Sequence, residues 1–271
     1  MRRSPYHGHL DAIDVATHKI TANWIVTGSY SAPDGGGIWG YGGVSGDPTN
    51  GALYAATGNS FGASEHAGYA EHVVRLNSSL SVVASNYPGL AGFDVDFGST
   101  PAIFHRPGCP YEIAVINKSG ALFVYNRTSI GAGPLQRVQI SRSGAFAGVV
   151  AFSPVTNMLY VSNPHDSNDG TYLHGLIALQ VQANCSLKLA WQQTVGLDTF
   201  AVSSPTVANG VVYYGLGYHR QVFAFDAATG DVLWNSGSMI GGAVFGAPSV
   251  ANGVLYVGSW DRKLRAFGPA A

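Results

Sequence analysis

The run Gln221-Val-Phe-Ala-Phe-Asp-Ala-Ala-Thr-Gly-Asp-Val-Leu-Trp234 reads as a hairpin that cannot stand alone. Val222 and Ala224 alternate with Phe223 and Phe225 in the two-residue period of a strand. Asp226 to Gly230 supplies the turn, because Asp and Thr bond nearby backbone groups and Gly230 takes positive φ without a steric penalty. Asp231 to Trp234 returns as a second strand ending in a large apolar ring. A lone hairpin of this kind is at best marginal in water. The chain must therefore repeat it.

It does. His9-Leu-Asp-Ala-Ile-Asp-Val-Ala-Thr-His-Lys-Ile-Thr-Ala-Asn-Trp24 keeps the Asp-x-x-Thr spacing and the terminal Trp. His72 to Leu80 and Ala121 to Ser129 are looser copies with Asn for Asp, and Gly175 to Leu179 leads through a changed turn to Trp191. Lys263-Leu-Arg-Ala-Phe267 begins a last copy. Most copies follow a strand carrying Gly, Leu or Val and then Tyr (Tyr54, Tyr160, Tyr213, Tyr256), and before that comes a Pro expected just inside a short strand (Pro101, Pro205, Pro248). Three or four short strands recurring every roughly 40–50 residues fall in the period band of propeller blades.

The fold expected is an all-β propeller of four-stranded antiparallel blades forming a single domain over 1–271. Residues 1–28 make a partial blade, and 35–87, 97–140, 144–193, 202–236 and 243–267 make further ones. That is about five or six blades, the last without its outer strand. The N-terminal hairpin either completes the last blade or belongs to an earlier blade of a larger, eight-bladed ring. The second alternative is preferred, since the hairpin brings an inner strand as well as an outer one.

Composition agrees. The 36 glycines and 11% charged residues suit tight turns between close strands. A net charge of −1 leaves no electrostatic footprint for nucleic acid. No apolar run approaches the ~20 residues that span a bilayer, and Met-Arg-Arg-Ser-Pro lacks the apolar segment of a secretory signal. Cys109 and Cys185 either pair or stay as free buried thiols, which distance alone decides. The four sequons at Asn77, Asn117, Asn126 and Asn184 are what chance yields in a Ser- and Asn-rich chain. The nine histidines show no zinc spacing, and neither a phosphate loop nor a Gly-x-Ser-x-Gly elbow occurs.

The Ala-Phe-Asp-Ala-Ala-Thr-Gly-Asp-Val-Leu-Trp unit, preceded by Ser-Pro-x-Val-x-Asn-Gly-Val-x-Tyr, resembles the repeat of pyrroloquinoline-quinone (PQQ) propellers over nearly the whole chain. That superfamily includes quinoprotein alcohol dehydrogenases, polyvinyl-alcohol dehydrogenase-like proteins and non-catalytic scaffolds. The repeat specifies the fold more than the activity.

The resemblance sharpens in Gly35-Gly-Gly-Ile-Trp-Gly-Tyr41, Asp47-Pro and Leu53-Tyr-Ala-Ala-Thr-Gly-Asn59. It implies Trp39 as the floor under the quinone ring and Asn59 as a calcium ligand. Gly92-Phe-Asp-Val-Asp-Phe-Gly-Ser-Thr-Pro101 is similar to the segment carrying the catalytic Asp. The alcohol dehydrogenases imply Asp94 as base and as a calcium ligand; the polyvinyl-alcohol branch, with Asp-x-Asp-Phe-Gly, brings in Asp96. Asn117-Lys-Ser-Gly120 matches the basic residue near the quinone oxygens, which implies that Lys118 stabilises the reduced ring.

The chain also departs from that pattern. The family's Glu calcium ligand comes from an earlier blade with no counterpart here, no vicinal disulfide can form, and Phe93 replaces the usual Trp. No Cys-x-x-Cys-His is present, so electrons would leave through a separate acceptor. The resemblance implies PQQ and calcium as cofactors, a small or polymeric alcohol as substrate, and a periplasmic or extracellular setting.

Each residue has a structural alternative. Trp39 could fill space between blades, Asn59 and the two aspartates could cap turns, and Lys118 could be the exposed tip of a hairpin. Trp24, Trp191 and Trp234 are expected to pack blade on blade, and Trp260, in a turn, is a weaker candidate for a rim contact. The rival to a dehydrogenase is a rigid platform binding protein or carbohydrate through its rim loops. Convergence of Trp39, Asn59, Asp94 and Lys118 on the central channel separates the two.

Overall fold

The computed structural model describes residues 6–62, 64–144, 148–197 and 203–268. The fold is a β-propeller whose blades follow one another along the chain. Blade I is the hairpin His9–Asp14 and Lys19–Ile25. Blade II comprises Ser45–Gly46, Leu53–Ala56, Val73–Leu76 and Val82–Asn86. Blade III comprises Ala102–Phe104, Glu112–Ile116, Ala121–Asn126 and Gln136–Gln139. Blade IV comprises Ala151–Ser153, Met158–Asn163, Gly175–Val181 and Leu187–Gln193. Blade V comprises Thr206–Ala208, Val211–Leu216, Gln221–Asp226 and Val232–Asn235. Blade VI has three strands, Ser249–Ala251, Val254–Ser259 and Lys263–Phe267. The start of blade V expected at Val202 lies outside the described residues.

Two compact units divide the chain: Met1–Ile103 with Tyr111–Val138, and Phe104–Pro110 with Gln139–Ala271. No helix among the described residues is long and apolar enough to cross a membrane.

The hairpin forms as its residues dictate. Asp226 Oδ1 accepts the N–H groups of Ala228 and Thr229 at 2.8 and 2.9 Å, and Gly230 takes φ 80°. Asp14 holds Thr17 in the same way at 2.7 Å. In blades IV and V a small residue faces a large ring, with Ala178 opposite Trp191 and Ala224 opposite Trp234. The register slips immediately afterwards in both blades, a bulge that adds twist where the outer strand must bend. The prolines sit at strand edges and not inside: Pro101 separates Ser99–Thr100 from Ala102–Phe104, while Pro205 and Pro248 directly precede their strands. Without an N–H, proline cannot serve the ladder.

In the first unit, Trp24 and Val26 of blade I pack with Ala55, Val74 and Leu76 of blade II. Tyr54 and Phe97 pack with Ile113, Phe123 and Tyr125 of blade III. In the second, Tyr160, Leu176 and Ala178 meet Val212 and Phe225, and Val222 meets Leu255 and Val257. Two tyrosines of the second strands add a polar link. Tyr54 donates to the Arg127 carbonyl at 3.3 Å and Tyr160 to the Ala227 carbonyl at 2.8 Å, each in the turn that closes the third strand of the following blade. Trp191 Nε1 donates to that same Ala227 carbonyl at 3.1 Å.

Cys109 and Cys185 form a disulfide within the second unit, Cα to Cα 5.5 Å. It ties the 104–110 excursion to the turn before Leu187.

Gly230 has two duties, since a Cβ there would lie 2.7 Å from the Trp191 ring in a left-handed backbone. Gly230→Ala is expected to cost about 2 kcal/mol or more in urea unfolding. Replacing both cysteines by serine is expected to lower stability by about 2–4 kcal/mol under non-reducing conditions and to change nothing under reducing ones.

Candidate functional site

The site is built in the first unit from the loops that lead into, and run between, the strands of blades II and III. The glycine stretch 35–40 lies against the end of Leu53–Ala56: Gly36 N–H donates to the Asn59 carbonyl at 2.8 Å, and Gly58 N–H donates to Gly37 at 2.7 Å. A Cβ on Gly58 would run into both the Asp96 carboxylate and the Trp39 indole nitrogen. Glycine at 58 therefore brings the indole edge beside the buried aspartate. Trp39 is 49% exposed, with the Tyr6 ring edge-on at 5.8 Å.

Asp96 is the anchor. It is buried, accepts the Asn59 backbone N–H, and forms an ion pair with Lys118 Nζ. The Lys118 backbone N–H donates to the Asp96 carbonyl at 2.9 Å, so side chain and main chain clamp the same pair. Asp94 is exposed, sits at φ 59°, and meets Lys118 Nζ at 2.9 Å. Lys118 is thus the turn residue expected, but its side chain folds inward onto two carboxylates. Burial raises the Asp96 pKa, against the lowering effect of Lys118 and the Asn59 N–H. Burial also pulls the Lys118 pKa down, but the two aspartates outweigh it and the net direction is up.

Two further acids join from the long loop between the second and third strands of blade II. Glu65 Oε1 accepts from Asn59 Nδ2 and from the Asp94 N–H, both at 3.4 Å. Glu71 is buried at φ 57°, its N–H bonds the Gly58 carbonyl at 3.0 Å, and its Oε1 has no hydrogen-bond partner. Its pKa is pushed up to about 7, first by burial and then by Glu65, Asp96 and Asp94. Neither residue belongs to the repeat, which is why the pattern search passes over them. The available signal was scarcity: the chain has three glutamates, and two of them lie in the long loop of blade II. His66 and His72 lie close by, against the Tyr87 ring at 4.5 and 5.7 Å.

All five residues singled out from the sequence, Trp39, Asn59, Asp94, Asp96 and Lys118, therefore gather in one cluster. Chemically it is a half-exposed indole beside an ammonium held by two carboxylates, one accessible and one sealed. Its oxygen donors would suit a hard cation. Yet Lys118 already holds both aspartates, and among the described residues no three His, Cys, Asp or Glu side chains are grouped to hold a metal ion. The arrangement does not fit calcium as it stands.

Comparison with known proteins places the fold. Residues 185–270 match the family described as outer membrane protein assembly factor BamB, a PQQ-type repeat. A europium-containing methanol dehydrogenase superposes with TM-score 0.65 and 15% identity, covering 96% of this chain and 60% of that one. The fold is a β-propeller, and its residues 185–270 carry that family's repeat. A second solved structure similar to this propeller is the quinohemoprotein alcohol dehydrogenase from Comamonas testosteroni, with TM-score 0.65, 16% identity, and 93% and 52% of the two chains covered. A chain of a mitotic checkpoint complex is similar in fold alone, with TM-score 0.61, 12% identity, and 98% and 69% covered. The propeller spans between half and two thirds of the length of the two dehydrogenases. A search of curated proteins finds no match.

Glu71 gives the cluster a pH signature. A carboxyl whose pKa rises from 4.5 unfolded to about 7 folded binds its proton more tightly in the native state, so stability falls as pH climbs through that window. Glu71→Gln is expected to remove that slope and to be more stable than the parent at pH 8 by on the order of 2 kcal/mol. Urea unfolding at pH 5 and pH 8 measures it.

Proposed function

We propose that this chain is the site-bearing part of an alcohol dehydrogenase-like quinoprotein, oxidising a small or polymeric alcohol and passing electrons to a separate acceptor. The observation that carries the reading is the convergence of Trp39, Asn59, Asp94, Asp96 and Lys118 on one patch. PQQ would lie on the exposed Trp39 ring with Lys118 near its oxygens, and when bound it supplies the acceptor for the hydride leaving the alcohol carbon.

The protein's own groups divide the remaining work. Asp94 is the accessible carboxylate and takes the hydroxyl proton. Asp96, sealed and held by Asn59, fixes the ammonium of Lys118 in place. Glu65 holds Asn59 and the Asp94 backbone together from the long loop. Calcium, the other cofactor implied by the resemblance, would draw on Asn59 and Asp94, with the orphan oxygen of Glu71 as the remaining donor. Because Lys118 already occupies the Asp94 carboxylate, no step is assigned to it. The Cys109–Cys185 disulfide supports an oxidising compartment, periplasmic or extracellular.

One observation favours a non-catalytic platform instead. Lys118 bridges both aspartates, so the Asp94 carboxylate is already engaged by a cation.

The two readings separate on titration with PQQ, followed by tryptophan emission and melting temperature, then by alcohol-dependent dye reduction. Quenching, a raised melting temperature and turnover are expected. Asp94→Asn should lower kcat by about a hundredfold or more while leaving PQQ binding and stability nearly unchanged. Asp96→Asn should destabilise the fold by on the order of 3 kcal/mol. Absence of quenching, melting shift and turnover in the parent would leave the platform standing.

A further inference from the structure

The second unit repeats the architecture of the candidate site with different chemistry. Gly241-Gly-Ala-Val-Phe-Gly246 restates Gly35-Gly-Gly-Ile-Trp-Gly40, and Leu255-Tyr-Val-Gly-Ser-Trp-Asp261 restates Leu53-Tyr-Ala-Ala-Thr-Gly-Asn59. The backbone agrees, since Trp260 N–H donates to Ala243 at 2.9 Å just as Gly58 N–H donates to Gly37. Phe245 thus stands where the first unit has Trp39. Trp260 stands where it has the glycine that leaves room for the indole.

The result is an aromatic step open to solvent. Phe245 meets Trp260 edge-on at 4.9 Å and Tyr218 edge-on at 5.3 Å. Trp260 is 74% exposed and Tyr218 is 53% exposed. The rings are fixed from below. A Cβ at Gly217 would strike the Phe245 ring at 2.6 Å, and the Val244 N–H bonds the Gly217 carbonyl at 3.1 Å. Asp261 is gripped by Arg265 through both guanidinium nitrogens, and accepts from Ser259 and the Gly241 N–H.

Both turns carry the same device. Tyr218-His-Arg220 and Trp260-Asp-Arg262 each place an aromatic two residues before an exposed arginine whose φ is 58° and 64°. With the Asp261 charge answered by Arg265, the fringe of Arg220, Arg262 and Lys263 is left cationic.

We infer that the Tyr218–Phe245–Trp260 step with Arg220 and Arg262 is a binding surface for an acidic polysaccharide. Pyranose C–H faces carry partial positive charge and lie against the negative faces of aromatic rings. Planar guanidinium groups hold uronate carboxylates in two-point geometry. A greasy protein interface would extend the rings with aliphatic residues, whereas these turns extend them with His219, Arg220, Asp261 and Arg262.

The test is affinity electrophoresis of the full chain through polygalacturonate, with neutral dextran as the parallel gel. Retardation by polygalacturonate alone is expected. Trp260→Ala and Tyr218→Ala should each weaken it roughly tenfold, and the Arg220→Gln, Arg262→Gln double variant should abolish it. Near-native circular dichroism and melting temperature confirm that each variant is folded. Equal retardation by dextran, no retardation by either polymer, or undiminished retardation of the folded Trp260→Ala variant would overturn the inference. So would concentration-dependent dimerisation that Trp260→Ala removes, which would make the patch a contact between copies.

Discussion

A buried tyrosine hydroxyl that reaches the next blade is the contact on which the architecture depends. Each blade is a small twisted sheet, hydrophobic on both faces, with little to fix its angle to a neighbour except side-chain shape. Tyr54 and Tyr160 supply direction as well as bulk, since the ring fills the space between sheets and the hydroxyl finds one carbonyl in the following turn. That carbonyl belongs to Arg127 or Ala227, the residue directly after the Asn or Asp that nucleates the turn. Turn chemistry and blade packing are therefore the same piece of sequence read twice. Tyrosine tolerates this burial only because its oxygen is met.

Such a frame keeps its blades constant and leaves its loops free to vary. Blades II and VI show how far that freedom extends. The same backbone hydrogen bond supports glycine at 58 and tryptophan at 260, and the first choice admits a charged cradle where the second builds an aromatic surface. The cradle carries its own tension. Asp94 and Asp96 share one ammonium with Glu65 and Glu71 close by, and burial together with those negative charges keeps Glu71 protonated up to near neutrality.

How much of this was legible in the sequence follows from what repeats. Asp226, Thr229, Gly230 and Trp234 recur at fixed spacing because each performs a local task, so the hairpins and blade order could be read directly. Pro101, Pro205 and Pro248 were legible as markers but are placed at strand edges, since only pairing decides where a residue without an N–H can stand. Trp39, Asn59, Asp94, Asp96 and Lys118 were found through resemblance, yet their roles toward one another were not. That Asp96 is sealed and Asp94 accessible depends on which side of a turn each side chain leaves, and two acids one residue apart carry no such label. Glu65 and Glu71 sit in a loop that no other blade shares. The pairing of Cys109 with Cys185 stayed open for a related reason, because the excursion 104–110 leaves its blade and only the folded path brings it to residue 185.

The tyrosine link also orders events on the ribosome. A nascent chain leaves the tunnel from its N-terminal end, and the acceptor for Tyr54 is the carbonyl of Arg127, 73 residues later. For Tyr160 the wait is 67 residues, to Ala227. Blades II and IV therefore emerge with one polar group unanswered and one apolar face bare until their successors are made. Within each compact unit, assembly has to lag behind translation, with blades II and IV maturing only after blades III and V have been made.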